Sequence, residues 1–273
     1  MDLGLEGKVV LITGGARGIG KAIAAVFAEE KANLAIVDLD FEPVDKMLHQ
    51  KDVTEILYIK ADLSVEEEVK RAVQKAIDVF GKIDIFVNVA GIISYEPVTK
   101  ITLKEWNRIL DTNLTGAMMC CREVCKHMIK NRSGSIIVVT STIQYMPAYR
   151  EAAYRVSKTG LQVFTETVAL EMAPYSIRVN TISPGIIYSE HWSKNTLGPT
   201  LKDDVLGPRL LESIPMGRTG KPDDIGHTAA FIASDKCPYI TGTNIIIDGG
   251  FHLRPLILIS KEEIERMNLD DNI

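Results

Sequence analysis

Two side chains at helical spacing in the middle of the chain could exchange a proton with an alcohol. Tyr154 and Lys158 stand at positions i and i+4, which on a helix places their Cβ atoms roughly 5–6 Å apart on one face. A free phenol has a pKa of about 10, so a tyrosine base near neutral pH needs about 4 kcal/mol of help. A neighbouring ammonium favours phenolate. The pair alone is also typical of an exposed helix, so its weight depends on the other motifs.

A glycine-rich segment directly follows the first apolar run. Val9–Ile12 is typical of a buried strand, Ile19–Glu30 has the pattern of a helix, and between them stands Thr13-Gly14-Gly15-Ala16-Arg17-Gly18-Ile19-Gly20. Glycines permit a tight turn and a close approach of the backbone to a pyrophosphate, and the free N–H groups of a helix start favour an anion. The position after the first strand favours a dinucleotide-binding turn over an ordinary tight connection.

Asp38 ends the second predicted strand, Leu34–Val37, and bears on which dinucleotide is bound. A carboxylate there can accept hydrogen bonds from both ribose hydroxyls of NAD, and it would repel the 2′-phosphate of NADP. Arg17 favours the opposite choice, because a guanidinium near the turn could hold that phosphate. Repulsion at contact should outweigh one flexible surface arginine, so NAD is the predicted cofactor. Its positive nicotinamide ring would add to the effect of Lys158 on the phenol.

The elements that must position these residues alternate along the chain. Helical patterns separate further apolar runs, which predict strands at Ile56–Ile59, Ile83–Val87, Ile136–Val139, Arg178–Ile182 and Ile245–Ile247. The runs lack in/out alternation, as expected when helices cover both faces of a parallel sheet. The helix after Ile59 is predicted to begin with a capping box between Ser64 and Glu67 and to end at Gly81.

The predicted fold is therefore an α/β doubly wound (Rossmann-type) parallel sheet of about seven strands, forming a single domain over residues 1–251. Two segments depart from this alternation of strands and helices. Residues 186–215 carry glycine–proline breakers and polar and aromatic side chains, which predicts a substrate lid. Residues 252–273 form a C-terminal tail extension whose apolar patch, Pro255–Ile259, is expected to pack on its own or a neighbouring subunit.

Composition excludes several functional classes. The 273 residues are 46% hydrophobic and 25% charged, with a formal net charge of −5, which is ordinary for a globular protein. A mildly acidic chain without a basic stretch argues against nucleic-acid and anionic-membrane partners. No apolar run reaches the roughly 18 residues of a transmembrane helix, and no secretory signal is visible, so a cytoplasmic location is expected. No metal site is expected, because zinc-type spacing is missing and reduced thiols are predicted at Cys120, Cys121, Cys125 and Cys237.

Taken in order, the motifs resemble those of the short-chain dehydrogenase/reductase family. The resemblance spans about residues 5–251 and fits the compact branch of that family. It rests on Thr13-Gly14-x-x-x-Gly18-x-Gly20, Asn88-Val89-Ala90-Gly91, Asn113, Ser141, Tyr154-x-x-x-Lys158, Pro184-Gly185 and Asp248-Gly249-Gly250. It implies a nicotinamide-dependent oxidoreductase that assembles as a homotetramer or dimer.

The resemblance also implies roles for individual residues. Tyr154 would be the general base in alcohol oxidation and the general acid in carbonyl reduction. Ser141 would hydrogen-bond the reacting oxygen. Lys158 would lower the pKa of Tyr154 and bind the nicotinamide ribose, and Asn113 would hold a water linking Lys158 to solvent. Besides the glycine-rich turn with Arg17 and Ile19, the residues expected at the cofactor are Asp62 and Leu63 beside adenine, Asn88, Gly91, Pro184 and Gly185 in the cleft, and Ile187 and Ser189 beside the carboxamide.

The residues around the reacting carbon favour a small polar substrate. Gln144 stands three residues after Ser141, where many members of the family have glycine, and it would add an amide beside that carbon. The predicted lid adds further polar and aromatic groups, Glu190, His191, Trp192 and Asn195. Because a site that pairs several hydroxyls discriminates strongly, we expect a sugar, sugar acid or polyol, contacted by Gln144 and Trp192. Residues 149–151 remain open between loop surface and substrate contact.

Two alternatives remain from different classes. One is a 3-oxoacyl-thioester (acyl carrier protein) reductase, which would normally use NADPH, so Asp38 argues against it. The other is a non-catalytic cofactor-binding regulator that kept the fold. Such a regulator would be expected to lose Ser141, Tyr154 or Lys158, and all three are present.

Overall fold

Seven parallel strands run through the middle of the protein, and a computed structural model describes residues 2–41, 55–188 and 206–253. The strands are β1 (Val9–Thr13), β2 (Asn33–Asp38), β3 (Ile56–Lys60), β4 (Ile85–Asn88), β5 (Gly134–Val139), β6 (Ile177–Pro184) and β7 (Asn244–Ile247). Their spatial order is β3-β2-β1-β4-β5-β6-β7, and every neighbouring pair is parallel. The order reverses between β1 and β4, which is the place where an open α/β sheet leaves a crevice for a ligand.

Helices connect these strands and cover the sheet. They are α1 (Gly18–Glu29), α2 (Glu66–Phe80), α3 (Leu103–Leu110), α4 (Gly116–Asn131), α5 (Ala152–Met172), α6 (Leu206–Glu212) and α7 (Pro222–Ala233). A π-helical turn, Asp111–Thr115, joins α3 to α4, and 3-10 turns occupy Thr142–Gln144, Ala173–Tyr175 and Phe251–Leu253. The predicted single-domain, doubly wound α/β fold is confirmed.

Both faces of the sheet are buried, which explains why the strands read as continuous apolar runs. Successive residues of β1 face opposite layers: Val10 and Ile12 pack with the layer that holds α1 and α7, and Leu11 packs with the layer that holds α2, α4 and α5. Charged side chains stand at or next to the ends of these strands, as Asp38, Lys60 and Arg178 do, where the connections begin. Functional side chains are therefore expected at the ends of the strands and in the connections that follow them.

The start of α2 differs from the prediction. The helix begins at Glu66, with Val65 as its N-cap, so the capping box assigned to Ser64 and Glu67 is wrong. Ser64 instead donates from both its backbone N–H and its hydroxyl to Asp62 Oδ1, at 2.9 and 2.7 Å. The Ser64 hydroxyl is thus engaged as a donor to the Asp62 carboxylate, two residues earlier, and does not cap the helix. The predicted end is confirmed, because Gly81 caps the helix in the left-handed region, with φ of 76°.

The four cysteines are buried and unpaired. Burial raises the pKa of Cys120 to about 12 and that of Cys125 to about 11, so both are held as thiols. Within the described residues, His, Cys, Asp and Glu side chains nowhere gather in a group of three or more that could hold a metal ion. None of the helices described combines the length and apolar character needed to cross a bilayer. The cytoplasmic location stays a prediction.

Parts of two predicted segments lie outside the described residues. Of the lid, residues 189–205 lie outside, including Ser189, Glu190, His191, Trp192 and Asn195. Of the tail, residues 254–273 lie outside, including Pro255–Ile259. The domain boundary at residue 251 stays a prediction.

Candidate active site

A cleft of about 960 Å³ opens where the carboxyl ends of the strands meet. One half follows β1 to β4, and the other half is built from the ends of β5 and β6 and the start of α5. The predicted site residues that line it are Gly14, Arg17, Gly18, Ile19, Gly20, Asp38, Asp62, Leu63, Gly91, Ser141, Tyr154, Lys158, Pro184, Gly185 and Ile187. Residues from six strand ends are thus brought together in one cavity of the size typical of ligand sites.

The glycine-rich turn has no room for side chains. Gly14 has φ of 67°, and a Cβ on it would lie 2.7 Å from the Cα of Ala90. A Cβ on Gly20 would lie 2.0 Å from the carbonyl oxygen of Gly14. The first residues of α1 can therefore face the cleft with N–H groups that the helix does not use. Arg17 Nε is also buried without a hydrogen-bond partner among the described residues. These features fit the pyrophosphate of a dinucleotide.

Asp38 is fixed against this turn at the end of β2. Its Oδ2 accepts from the backbone N–H of Ala16 at 3.0 Å, and its Oδ1 accepts from that of Leu39 at 2.8 Å. Arg17 Nη2 lies 2.8 Å from Asp40 Oδ2, so its guanidinium is already paired with a carboxylate. Negative charge therefore dominates this end of the cleft.

Asn88 differs from the prediction, because it lies beneath the cleft and does not line it. Its side chain is buried, and its Oδ1 accepts from the hydroxyl of Thr13 at 3.0 Å. Thr13 and Asn88 are register partners at the ends of β1 and β4, so this bond ties the two strands together. The backbone N–H groups of Val89 and Ala90 both donate to the Thr13 carbonyl at 3.1 Å. Asn88 therefore supports the floor of the cleft.

Tyr154, Lys158 and Ser141 meet in the other half. Lys158 Nζ lies 5.9 Å from the centre of the Tyr154 ring and donates to the carbonyl of Val139 at 3.0 Å. Ser141 caps the following 3-10 turn through the N–H of Ile143, and its hydroxyl also hydrogen-bonds the Tyr154 phenol. The predicted juxtaposition of phenol, hydroxyl and ammonium is present.

Burial shifts the pKa values of this pair toward the neutral forms. Burial raises the pKa of Tyr154 to about 12, an effect that the Ser141 hydrogen bond only partly offsets and that the nearby Glu151 charge increases. Burial likewise lowers the pKa of Lys158 from 10.5 to about 8. Desolvation thus disfavours both charged forms, and the ammonium alone does not acidify the phenol. Without the positive charge of a cofactor, burial therefore favours the neutral phenol.

Asn113 braces the catalytic group from the π-helical turn. Its Oδ1 accepts from the N–H of Ile92 at 2.7 Å, and its Nδ2 donates to the Ile92 carbonyl at 2.8 Å and to Ser157 Oγ at 3.0 Å. Ser157 in turn donates to the carbonyl of Tyr154 at 2.7 Å. A Cβ on Gly91 would lie 3.3 Å from Lys158 Nζ, so glycine provides the space for that amine. Ser157 was not found from the sequence.

Gln144 does not reach the cleft, so its assignment as a substrate contact is wrong in this structure. The tight turn at Thr142–Gln144 places Ile143 on the cleft wall and turns Gln144 away. Its amide donates to Ser183 Oγ at 2.8 Å, on β6. Ser183 belongs to a buried polar group with Thr140 Oγ1, 2.6 Å away, so the Gln144 amide is engaged on the side away from the cleft.

Several residues on the substrate half of the cleft were missed or left open by the sequence analysis. They are Ile93, Tyr95, Met146, Pro147, Ala148, Glu151 and Phe251. Most are apolar, and nothing in their spacing distinguishes them from loop residues. Glu151 had a usable signal, since it stands one helical turn before Tyr154. Ser189 and Trp192 lie outside the described residues.

Comparisons with known proteins agree with this site. A family model described as enoyl-(acyl carrier protein) reductase matches residues 14–252. An uncharacterized oxidoreductase of Thermotoga maritima is 38% identical over 254 residues, covering 92% of this chain and 98% of that protein. A 3-oxoacyl-(acyl-carrier-protein) reductase of Chlamydia pneumoniae is 37% identical over 252 residues, covering 92% and 99%. A solved structure of NAD⁺-bound xylitol dehydrogenase has a TM-score of 0.84 at 33% identity, covering 90% of this chain and 99% of that one.

The fold and the site therefore define an oxidoreductase built on a nicotinamide-dinucleotide cleft. The chain belongs to the short-chain dehydrogenase/reductase family, as the ordered motifs predicted.

Replacing Lys158 with methionine should remove a pH-dependent part of the stability. Burial lowers the pKa of Lys158 from 10.5 to about 8, so between these values the unfolded chain binds a proton that the folded chain does not. The free energy of unfolding of the wild type should therefore rise across this window relative to Lys158→Met. Below the folded-state pKa, the cost of burying the ammonium is fully present. Urea unfolding from about pH 7 to about pH 10 measures the difference.

The exposed Lys126 on α4 is the control, and Lys126→Met should follow the wild-type pH dependence. A wild-type-minus-Lys158→Met difference that stays constant with pH would contradict the assigned burial cost.

Proposed function

We propose that this protein is an NAD(H)-linked oxidoreductase that interconverts the CH–OH and carbonyl forms of a small polar substrate, such as a polyol or sugar. The observation that carries the proposal is the meeting of Ser141, Tyr154 and Lys158 in the same cleft as the Asp38 carboxylate. The xylitol dehydrogenase neighbour, which is described as bound to NAD⁺, supports both parts by analogy.

In this proposal Tyr154 moves the proton. The bound nicotinamide cofactor supplies or accepts the hydride. During carbonyl reduction, Tyr154 donates its phenolic proton to the oxygen, for which its raised pKa suits it. During alcohol oxidation, the same phenol must lose its proton first, and the positive charge of the oxidised cofactor favours that step. Ser141, already hydrogen-bonded to the phenol, holds the reacting oxygen against it.

Lys158 connects the phenol to solvent in the same proposal. The pKa of Lys158, about 8, lets its amine take up or release a proton near neutral pH. The Asn113 side chain has its donors and an acceptor site occupied by Ile92 and Ser157. The Asn113 side chain therefore holds the π-helical turn in place. The water that links Lys158 to solvent in the family would have to be held by a group other than these bonded side-chain atoms.

The NAD preference is supported at the other end of the cleft. The Asp38 carboxylate at the end of β2 would repel a 2′-phosphate, and Arg17 would have to give up its ion pair with Asp40 to bind one. The main alternative is an NADPH-linked 3-oxoacyl-thioester reductase, which the Chlamydia pneumoniae relative favours. A regulator without catalysis is the third possibility, against which the complete catalytic set argues.

Replacing Tyr154 with phenylalanine should abolish turnover while leaving cofactor binding intact, because only the proton-carrying oxygen is removed. The measurement is absorbance of the reduced nicotinamide across a panel of polyols, aldoses, hydrophobic secondary alcohols and a 3-oxoacyl thioester, with both cofactors. We expect NAD⁺-dependent oxidation of polyols or aldoses and a loss of at least about 1,000-fold in kcat for Tyr154→Phe. Turnover confined to the thioester with NADPH, or an active Tyr154→Phe variant, would refute the proposal.

Replacing Asp38 with asparagine should shift the cofactor preference. The amide keeps an oxygen for the N–H of Ala16 but removes the negative charge that repels a 2′-phosphate. The ratio of kcat/KM for NADH over NADPH should fall about 10- to 100-fold. Asp62→Asn, also on the cleft wall, is a matched control and should change this ratio less than about threefold. An unchanged ratio in Asp38→Asn means that this carboxylate does not select the cofactor.

We also propose that the chain forms a homo-oligomer through α5. Val156, Val163 and Leu170 recur every seven residues on this helix and are all exposed. A second groove beside them is lined by Leu114 and Phe164, among others. An apolar stripe of this kind indicates a helix–helix contact with a symmetry mate.

Replacing Val163 with glutamate should dissociate the assembly, since a charge would be buried in an apolar contact. Sedimentation should show a species of smaller mass, whereas Leu103→Glu, at another exposed apolar position, should leave the mass unchanged. A Val163→Glu protein that sediments as the wild type places the contact elsewhere.

A further inference from the structure

Glu151 places a carboxylate on the wall of the substrate half of the cleft. It is the N-cap residue of α5, about one helical turn before Tyr154, and it is half-buried. Arg150 immediately before it has φ of 67°, in the left-handed region that is unfavourable for a residue with a side chain.

The Glu151 carboxylate has no partner within the described ranges. Burial is the sole cause that raises its pKa, with no donor or cation acting against it. A half-buried carboxylate without a donor is unfavourable, because the protein replaces its hydration with nothing equivalent. A hydrogen-bond donor carried by a ligand in the cleft would supply what is missing.

On this half of the cleft Glu151 supplies a carboxylate acceptor, and Tyr95 adds a hydroxyl. The neighbours of Glu151 on this half of the cleft are largely apolar, including Ile93, Met146 and Phe251. Arg108 also reaches the wall, but its guanidinium is held by two hydrogen bonds of 2.7 Å to Glu105. Apart from the catalytic Lys158, an anionic substrate on the described part of this half would therefore find a repelling carboxylate and an arginine that is already engaged.

Glu151 also lies within electrostatic reach of the proton-carrying oxygen. Its charge is among the influences that raise the pKa of Tyr154. Both side chains line the same cleft, about one helical turn apart at the start of α5, so the carboxylate stands on the side of the site where the reacting carbon would lie. Groups on the carbon next to the reacting carbon would then be able to contact the Glu151 carboxylate.

We propose that Glu151 determines the substrate class, by accepting a hydrogen bond from a second hydroxyl beside the reacting carbinol. This inference rests on the proposed function, which places that carbinol at Tyr154. It selects neutral diols and polyols, and it disfavours acids and phosphorylated substrates, so the sugar acids among the sequence-based candidates are disfavoured. In this proposal Glu151 makes the hydrogen bond to the substrate that the sequence analysis expected from Gln144.

Three four-carbon probes test this assignment: 2-butanol, 2,3-butanediol and 3-hydroxybutyrate. They share a secondary alcohol and differ in carrying no further group, a second hydroxyl or a carboxylate. We compare kcat/KM with NAD⁺ for the wild type, Glu151→Ala, Glu151→Gln and the control Glu67→Gln, which removes an exposed charge on α2. Ratios between probes cancel the effect of the Glu151 charge on Tyr154, because that effect acts on every substrate.

The preference for 2,3-butanediol over 2-butanol should fall about 10- to 100-fold in Glu151→Ala, as expected for a lost hydrogen bond to a charged group. In Glu151→Gln, the turnover of 3-hydroxybutyrate relative to 2-butanol should rise about 10-fold or more, because the repulsion is removed. Glu67→Gln should leave both ratios within about twofold of the wild type. Glu151→Gln keeps the side-chain shape and remains informative if Glu151→Ala does not fold.

Unchanged ratios in both Glu151 variants, with an active wild type, would overturn the inference and leave the proposed function standing. A wild type that oxidises none of the three probes, yet oxidises other alcohols in a Tyr154-dependent manner, would also overturn only the inference. A wild type that binds NADH and oxidises no alcohol at all would overturn both.

Discussion

Desolvation of one phenol and one amine is the constraint on which the site depends. Lys158 is only 3% exposed, and its amine donates a hydrogen bond to a neutral carbonyl, that of Val139. Its pKa is lowered to about 8, and that of Tyr154 is raised to about 12. Two groups that disfavour their charged forms this strongly need a rigid support, because any opening would admit water and remove the shift.

That support comes from neighbours that perform no chemistry. The Asn113 amide bonds both backbone groups of Ile92 and the hydroxyl of Ser157, and Ser157 bonds the carbonyl of Tyr154. These bonds tie the π-helical turn, the segment after β4 and α5 into one unit. A π-helical turn is unusual in a helix and is often found at functional sites. Here it places Asn113 between the cofactor floor and the catalytic helix.

Carboxylates stand at both ends of the cleft, and in the proposed function each rejects an anion. Asp38, held by the N–H of Ala16, disfavours the 2′-phosphate of NADP. Glu151, which has no partner in the described structure, disfavours acidic substrates and accepts a hydroxyl. The same physical effect, repulsion between like charges in a partly dry cleft, would thus set both cofactor and substrate choice.

Local patterns sufficed to predict the strands, the glycine-rich turn and the Tyr154–Lys158 pair, and the comparisons confirmed the family. Continuous apolar runs identify buried parallel strands, and an i, i+4 spacing determines a shared helix face wherever the helix lies. Parallel connectivity then requires the strand ends, with Ser141 and Asp38, to meet at one edge. These features depend on neighbours in sequence or on topology alone.

The direction of side chains in the loops was decided only by tertiary structure. Gln144 follows Ser141 closely but turns to Ser183, a partner on another strand, while Glu151, which sequence left open, faces the cleft. Asn88 bonds Thr13 beneath the floor, and the pKa values of Tyr154 and Lys158 follow burial instead of their mutual attraction. A short spacing specifies which residues are near, but the competing hydrogen-bond partners and the loss of water come from segments distant in the chain.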